Sequence, residues 1–141
     1  MPKTTAQTID QKLIDEAKLA RENAVAPFSK FKVGAALLTR SGEIISGANV
    51  ESVSYGLTCC AERVALFKAL TSGRRRFSAI AVVARMAPVP MPCGACRQLL
   101  IEYAPDAEVF VADSRKLSKY RQFRVSDLMP GAFVSLPNPG D

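Results

Sequence analysis

Four cysteines and one glutamate carry most of the chemistry this sequence can offer. Cys60 and Glu62 follow closely on Cys59, and Cys93 and Cys96 form a C-x-x-C pair farther along the chain. Thiolate sulfur is a good zinc ligand, and the i, i+3 spacing of Cys93 and Cys96 puts both sulfurs on one helical face, where they can converge on a single ion. Cys60 would complete that site from a second helix. Helix N-termini aimed at one point favour thiolate over thiol, because their unpaired amides and dipoles stabilise negative charge. Three thiolates around a divalent cation leave a net negative charge, which Arg63 could offset by hydrogen bonding to a ligand sulfur. With three protein ligands zinc keeps an open position for water and lowers that water's pKa toward about 7, so that an adjacent Glu62 can take the proton.

Plainer roles exist for the same residues. A C-x-x-C pair can be a redox centre, although redox chemistry needs neither a third cysteine nor a carboxylate at another helix start. If Cys59 joined the others, four thiolates would close a structural zinc site; adjacent residues rarely point at one ion, so Cys59 reads as a buried filler. Glu62 could simply favour its helix dipole, and Arg63 could be an ordinary surface residue.

These side chains need elements to hold them. Thr8 and Gln11 form a candidate capping box, and Ile9, Leu13, Ala17, Ala20 and Ala24 recur at helical spacing, which predicts a helix to about Asn23 that Pro27 stops. Residues 31–38 read as a buried strand, Ser41 and Gly42 as a turn, and residues 44–50 as the hairpin partner. Residues 58–70 are charged only at Glu62, Arg63 and Lys68 and predict a helix buried on most sides, with Gly73 as its stop. A β-branched strand over 79–85, a proline-rich loop over 87–92, a helix over 93–103 and a strand over 108–112 follow. In the less legible remainder Val125 ends a last strand, and Ser126 caps a short helix that Pro130 and Gly131 terminate. This order predicts an α/β fold, one mixed sheet with helices on its faces, in a single domain over residues 1–141 without repeat or linker.

At 141 residues such a domain can bury roughly 70% of the surface its unfolded chain exposes. The 48% apolar and 23% charged fractions argue against disorder and fibrous repeats. Residues 1–10 hold no signal-like apolar run, and no stretch approaches the length of a membrane span, so a cytoplasmic location is expected. In that reducing setting clustered cysteines suit ligation better than disulfides. The net charge of +6 raises nucleic acid as a partner. The basic segments 74–76 and 115–124 lack an aromatic stacking pattern, however, and read as a solvated loop and a solvated edge.

C-A-E at 60–62 followed by P-C-G-A-C-R-Q at 92–98 resembles the small homotetrameric zinc-dependent cytidine deaminases. The likeness extends to F-S-K-F-K-V-G-A-A-L at 28–37, N-V-E at 49–51, S-Y-G-L at 54–57 and M-P-G-A-F at 129–133. Ordered blocks thus span nearly the whole chain, whereas the tail 134–141 shows no family feature. The resemblance implies a three-layer α/β/α sandwich with a five-stranded mixed sheet, one Zn2+ per subunit, sites completed at subunit contacts of a homotetramer, and neither nucleic acid nor membrane as partner. It implies hydrolytic deamination of free cytidine and deoxycytidine to uridine and deoxyuridine with release of ammonia, a pyrimidine-salvage reaction.

Carried over by position, Cys60, Cys93 and Cys96 would hold zinc and Glu62 would move protons, as in zinc deaminases generally. Asn49 and Glu51 would bind the ribose 3′-hydroxyl, Phe31 would stack on the pyrimidine, Tyr55 would help build the intersubunit pocket, and Phe133 would reach in from a neighbouring subunit. Val53, Phe28 and Met91 depart from the family pattern. Met91 would lie near the C4 substituent, so N4-substituted cytidines are expected as further substrates. Competing assignments are a polynucleotide editor, whose relatives usually present histidine as first ligand while this chain has none, and a noncatalytic zinc module, which would leave Glu62, Asn49 and Glu51 without work. A nucleoside antibiotic related to cytidine is a further substrate the residues allow.

Overall fold

Along the central strands, side chains alternate between two separate apolar clusters, and that alternation sorts the helices. The computed structural model describes residues 7–140. Residues 1–6 and Asp141, at the ends of the expected 1–141 domain, lie outside the described residues. The elements are α1 (Ile9–Arg21), β1 (Val33–Thr39), β2 (Ile44–Ala48), α2 (Ala61–Thr71), β3 (Phe77–Ala84), α3 (Gly94–Tyr103), β4 (Glu108–Asp113), β5 (Arg121–Arg124) and α4 (Val125–Leu128), with a 3-10 turn over Tyr55–Leu57. Five strands form one mixed sheet in the order β2-β1-β3-β4-β5. Only β3 and β4 run parallel.

Ala35, Leu37, Ile80, Val82, Val109 and Val111 point into a cluster with Ala65 and Leu66 of α2 and Leu100 of α3. Ala36, Ala79, Ala81, Val83, Phe110 and Ala112 point the other way, onto Leu13, Ile14 and Ala17 of α1. The result is the expected α/β/α sandwich, with α2 and α3 together on one face. The α1 face is alanine-rich, and a Cβ on Gly34 would fall on the Ala17 carbonyl oxygen, so that helix sits directly against β1.

Some differences from expectation are local, and others arise where tertiary hydrogen bonds capture the backbone. Thr8 caps α1 by accepting from the Gln11 N–H at 3.2 Å, but the Gln11 amide turns to Asp15 instead of back to Thr8, leaving half a capping box. α1 ends at Arg21 rather than Asn23. α2 begins at Ala61 rather than Thr58, because Cys59 is held extended by both its N–H and C=O against Val50, at 2.9 and 3.0 Å. It buries one face rather than most sides, leaving Phe67 and Lys68 exposed. Arg124, not Ser126, occupies the N-cap of α4. There the chain passes straight from strand to helix, since Val125 is buried and its N–H bonds Ala107 C=O at 3.1 Å.

The basic segments are partly neutralised. Arg74 pairs with Glu43, Arg115 with Asp113 at 2.8 Å and Arg124 with Glu108 at 3.6 Å. Among the described residues no helix is long and apolar enough to cross a membrane.

Candidate metal and substrate site

Two helix starts and one strand end meet on the α2/α3 side of the sheet. Cys60 is the N-cap of α2 and Cys93 the N-cap of α3, and neither side chain caps its helix. Their sulfurs are therefore free to face each other, while the first-turn amides of both helices favour negative charge there. Cys93 arrives on the loop that leaves the C-terminal end of β3, and Cys96 follows one turn into α3, almost completely buried.

The three ligand atoms of Cys60, Cys93 and Cys96 all lie within 4.8 Å of one another, with Cys60 to Cys93 at 3.8 Å and Cys93 to Cys96 at 3.5 Å. Sulfurs bound tetrahedrally to zinc at about 2.3 Å stand about 3.8 Å apart, so the spacing suits that ion. The acid–base chemistry agrees. Cys60 is pulled down to about 5, chiefly by the neighbouring Cys96 thiol and then by Arg63, whereas Cys96 is pushed up by the same Cys60 neighbour and by burial. One thiolate thus forms readily and suppresses the next, a conflict that a divalent cation removes.

Arg63 lies beside this cluster. One Nη donates to Cys60 Sγ at 3.5 Å and to the Thr58 carbonyl at 3.3 Å, while its buried Nε has no partner among the described residues. The contact is the one expected of a residue balancing ligand charge. Cys59 is absent from the sulfur cluster; it is half-buried and lines the pocket wall, rather than filling the core as expected.

A cavity of about 230 Å³ opens beside the sulfurs and takes in Phe31, Asn49, Glu51, Cys60, Glu62 and Cys93. The structure therefore brings together most of the side chains singled out by sequence. Glu62 is only 5% exposed, and burial pushes its carboxyl up to about 7, with the Cys60 charge adding to the effect. A carboxyl poised near neutrality can both accept and return a proton. Glu51 sits at the rim, held below the ordinary carboxylate range by the Ser29 hydroxyl and by the amides of Ser29 and Phe28.

Tyr55 and Phe133 do not line this cavity. They are 82% and 64% exposed. Gln98 of α3 holds the Phe133 carbonyl at 2.7 Å, and the Phe133 side chain stays largely exposed. Ser29, Thr58, Met86 and Pro90 also line the cavity and were not singled out by sequence. Ser29 stood inside the F-S-K-F block, but a lone serine, threonine or methionine carries no spacing signal of its own.

Residues 7–112 match the family described as "Cytidine and deoxycytidylate deaminase zinc-binding region". The chain is 54% identical over 127 residues to the cytidine deaminase of Halalkalibacterium halodurans, covering 89% of this chain and 94% of that one. It is 35% identical over 121 residues to the blasticidin-S deaminase of Bacillus cereus, covering 79% and 86%. The crystal structure of cytidine deaminase from Burkholderia pseudomallei superimposes with a TM-score of 0.84 at 48% identity, covering 92% of this chain and all of that one.

Purified protein should carry one zinc per chain by elemental analysis. Cys60→Ala, Cys93→Ala and Cys96→Ala should each lose it or bind it far more weakly, while Cys59→Ala should keep it. Zinc lost from the Cys59 variant and kept by the Cys60 variant would mean that the wrong member of the adjacent pair has been assigned.

Proposed function

This chain belongs to the cytidine and deoxycytidylate deaminase family, and from that premise we propose that it hydrolyses free cytidine and deoxycytidine to uridine and deoxyuridine, with zinc held by Cys60, Cys93 and Cys96. The observation that carries this assignment is the buried Glu62 facing the same cavity as the sulfur cluster. Identity is higher to a cytidine deaminase than to the blasticidin-S enzyme, which favours the plain nucleoside. The four free cysteines suit a reducing compartment, so the cytoplasm and pyrimidine salvage are the proposed setting. The whole chain is taken as one catalytic domain.

Bound there, zinc would act as a Lewis acid that lowers the pKa of the attacking water toward about 7. Glu62 takes the first proton from that water and delivers it to N3 of the pyrimidine, which makes C4 electrophilic. The water oxygen bonds to C4. Glu62 then accepts the remaining hydroxyl proton and passes it to the exocyclic nitrogen, and the C4–N4 bond breaks to release ammonia. One carboxyl acts as base and then as acid, which suits a group near neutrality. Phe31 packs on the pyrimidine, and Arg63 steadies the charge on Cys60.

Glu51 Oε1 accepts two backbone N–H groups, and the carboxylate, which the Ser29 hydroxyl also approaches, keeps lone pairs that can accept a sugar hydroxyl. Asn49 keeps one amide hydrogen beyond its own backbone contacts, and that hydrogen can reach the same sugar. Met86 and Met91 on the wall are unbranched and adaptable, and they favour tolerance of a small N4 substituent. The exposed Tyr55 and Phe133, with Leu57 and Leu136, suit burial between copies in a homotetramer in which Phe133 completes a neighbour's pocket. An active monomer by light scattering would exclude that assembly.

Incubating the zinc-quantified protein with cytidine should produce the absorbance change of uridine formation. Glu62→Gln should keep zinc and fold while losing at least about 10² to 10⁴ in rate, the scale for removing a general acid–base group. Turnover within about threefold of the parent would leave Glu62 only its helix-dipole role.

Substrate range separates a nucleoside enzyme from a polynucleotide editor. An ionised Glu51 attracts a hydroxyl but repels a 3′-phosphate at close range. Loss of a hydrogen bond to a charged group predicts that 3′-deoxycytidine falls about 10- to 100-fold in kcat/KM. Cytidine 3′-phosphate and internal cytosines of an oligonucleotide should fall further, and N4-methylcytidine should remain a substrate. Comparable rates for cytidine and the oligonucleotide would overturn the free-nucleoside assignment.

A further inference from the structure

The stretch from Ala26 to Val33 lies outside regular structure until β1 begins, yet it supplies Ser29, Phe31 and Val33 to the cavity wall. It is poorly buried, with Phe28 50% and Phe31 40% exposed. At its centre Lys30 takes φ +61°, a left-handed conformation disfavoured for a residue with a Cβ. Such a backbone persists only where its surroundings over-determine it.

Two side chains from the segment after β2 supply that constraint. Glu51 Oε1 accepts the N–H groups of Phe28 at 3.0 Å and Ser29 at 3.1 Å, on one side of Lys30. Asn49 works on the other side: Nδ2 donates to the Phe31 carbonyl at 2.9 Å, and Oδ1 accepts the Val33 N–H at 2.8 Å. Inside this frame Ser29 Oγ accepts the Phe31 N–H at 3.0 Å. Arg21 Nε adds a bond to the Lys32 carbonyl at 3.0 Å from α1. The segment carrying Asn49 and Glu51 is itself fixed, since Val50 bridges both Val25 and Cys59, the residue next to the sulfur cluster.

We infer that Glu51 and Asn49 are positioning residues for Phe31, clamping the Phe28 to Val33 backbone that presents its ring to the cavity, in addition to their contacts with the sugar. This rests on the proposed function only in naming a sugar and a base as what the two sides of the clamp hold. Sugar recognition and base stacking then share one anchor. A hydroxyl bound to the Glu51 carboxylate engages the same group whose Oε1 fixes the Phe31 loop, so a nucleoside is recognised as a unit.

Residue-resolved amide hydrogen exchange on the intact, zinc-loaded chain tests the clamp without any substrate, so inactivity toward cytidine would sink the proposed function and leave this result standing. In Glu51→Ala, exchange at Phe28 and Ser29 should rise about tenfold, with Phe31 and Val33 following, while α1 amides stay at the parent rate. Glu51→Gln should restore protection to within about twofold of the parent, because its amide oxygen still accepts both N–H groups. Should the alanine variant speed α1 as well, Glu51→Asp decides: it keeps the charge but shortens the reach, and it must accelerate the 28–33 amides alone. Unchanged exchange in the alanine variant, equal acceleration in alanine and glutamine variants, or parent-like exchange in the aspartate variant would overturn the clamp.

Discussion

Three cysteine sulfurs held within 4.8 Å of one another cannot all carry charge unless a cation stands between them, and the rest of the structure is arranged around that constraint. α2 and α3 both rest on the same side of the sheet through Ala65, Leu66 and Leu100, which aims their N-termini at one place. The helix amides supply positive potential, Arg63 supplies a donor, and the apolar core beneath prevents the sulfurs from relaxing apart. Loss of the ion would leave the helix ends without their shared anchor.

Glu62 inherits its chemistry from the same arrangement. It occupies the first turn of α2, two residues beyond Cys60, where the inward helix face becomes the floor of the cavity. Burial lifts its carboxyl toward neutrality, on a helix face where Ala61 and Ala65 are themselves fully buried. The opposite wall is built differently. The loop carrying Phe31 is held by Asn49, which bonds the Phe31 carbonyl and the Val33 N–H, and by Glu51, which accepts the N–H groups of Phe28 and Ser29, so the metal side of the cavity is fixed by packing and the Phe31 side by polar contacts.

Most of the fold was legible in the amino-acid pattern because β1, β3 and β4 are apolar enough to be recognised and α1 has a clean helical period. The misplaced boundaries lie where backbone is captured by distant partners: Cys59 by Val50, Phe31 and Val33 by Asn49, Val125 by Ala107. No local propensity encodes such contacts. At the site, the cysteine spacing and the adjacent Glu62 were readable because metal chemistry constrains residue type and interval together. Cys59 was misjudged as core because adjacency to Cys60 says nothing about which way a half-extended residue faces. Tyr55 and Phe133 lie outside the cavity of the single chain, so their assignment depends on assembly.

X-ray absorption at the zinc edge of the purified chain counts the ligand types around the metal without relying on activity. Three sulfurs at about 2.3 Å and one oxygen at about 2.0 Å are expected, as in an open catalytic site. Four sulfurs and no light atom would contradict it, because Cys59 would then close the coordination sphere and Glu62 would have no water to act upon.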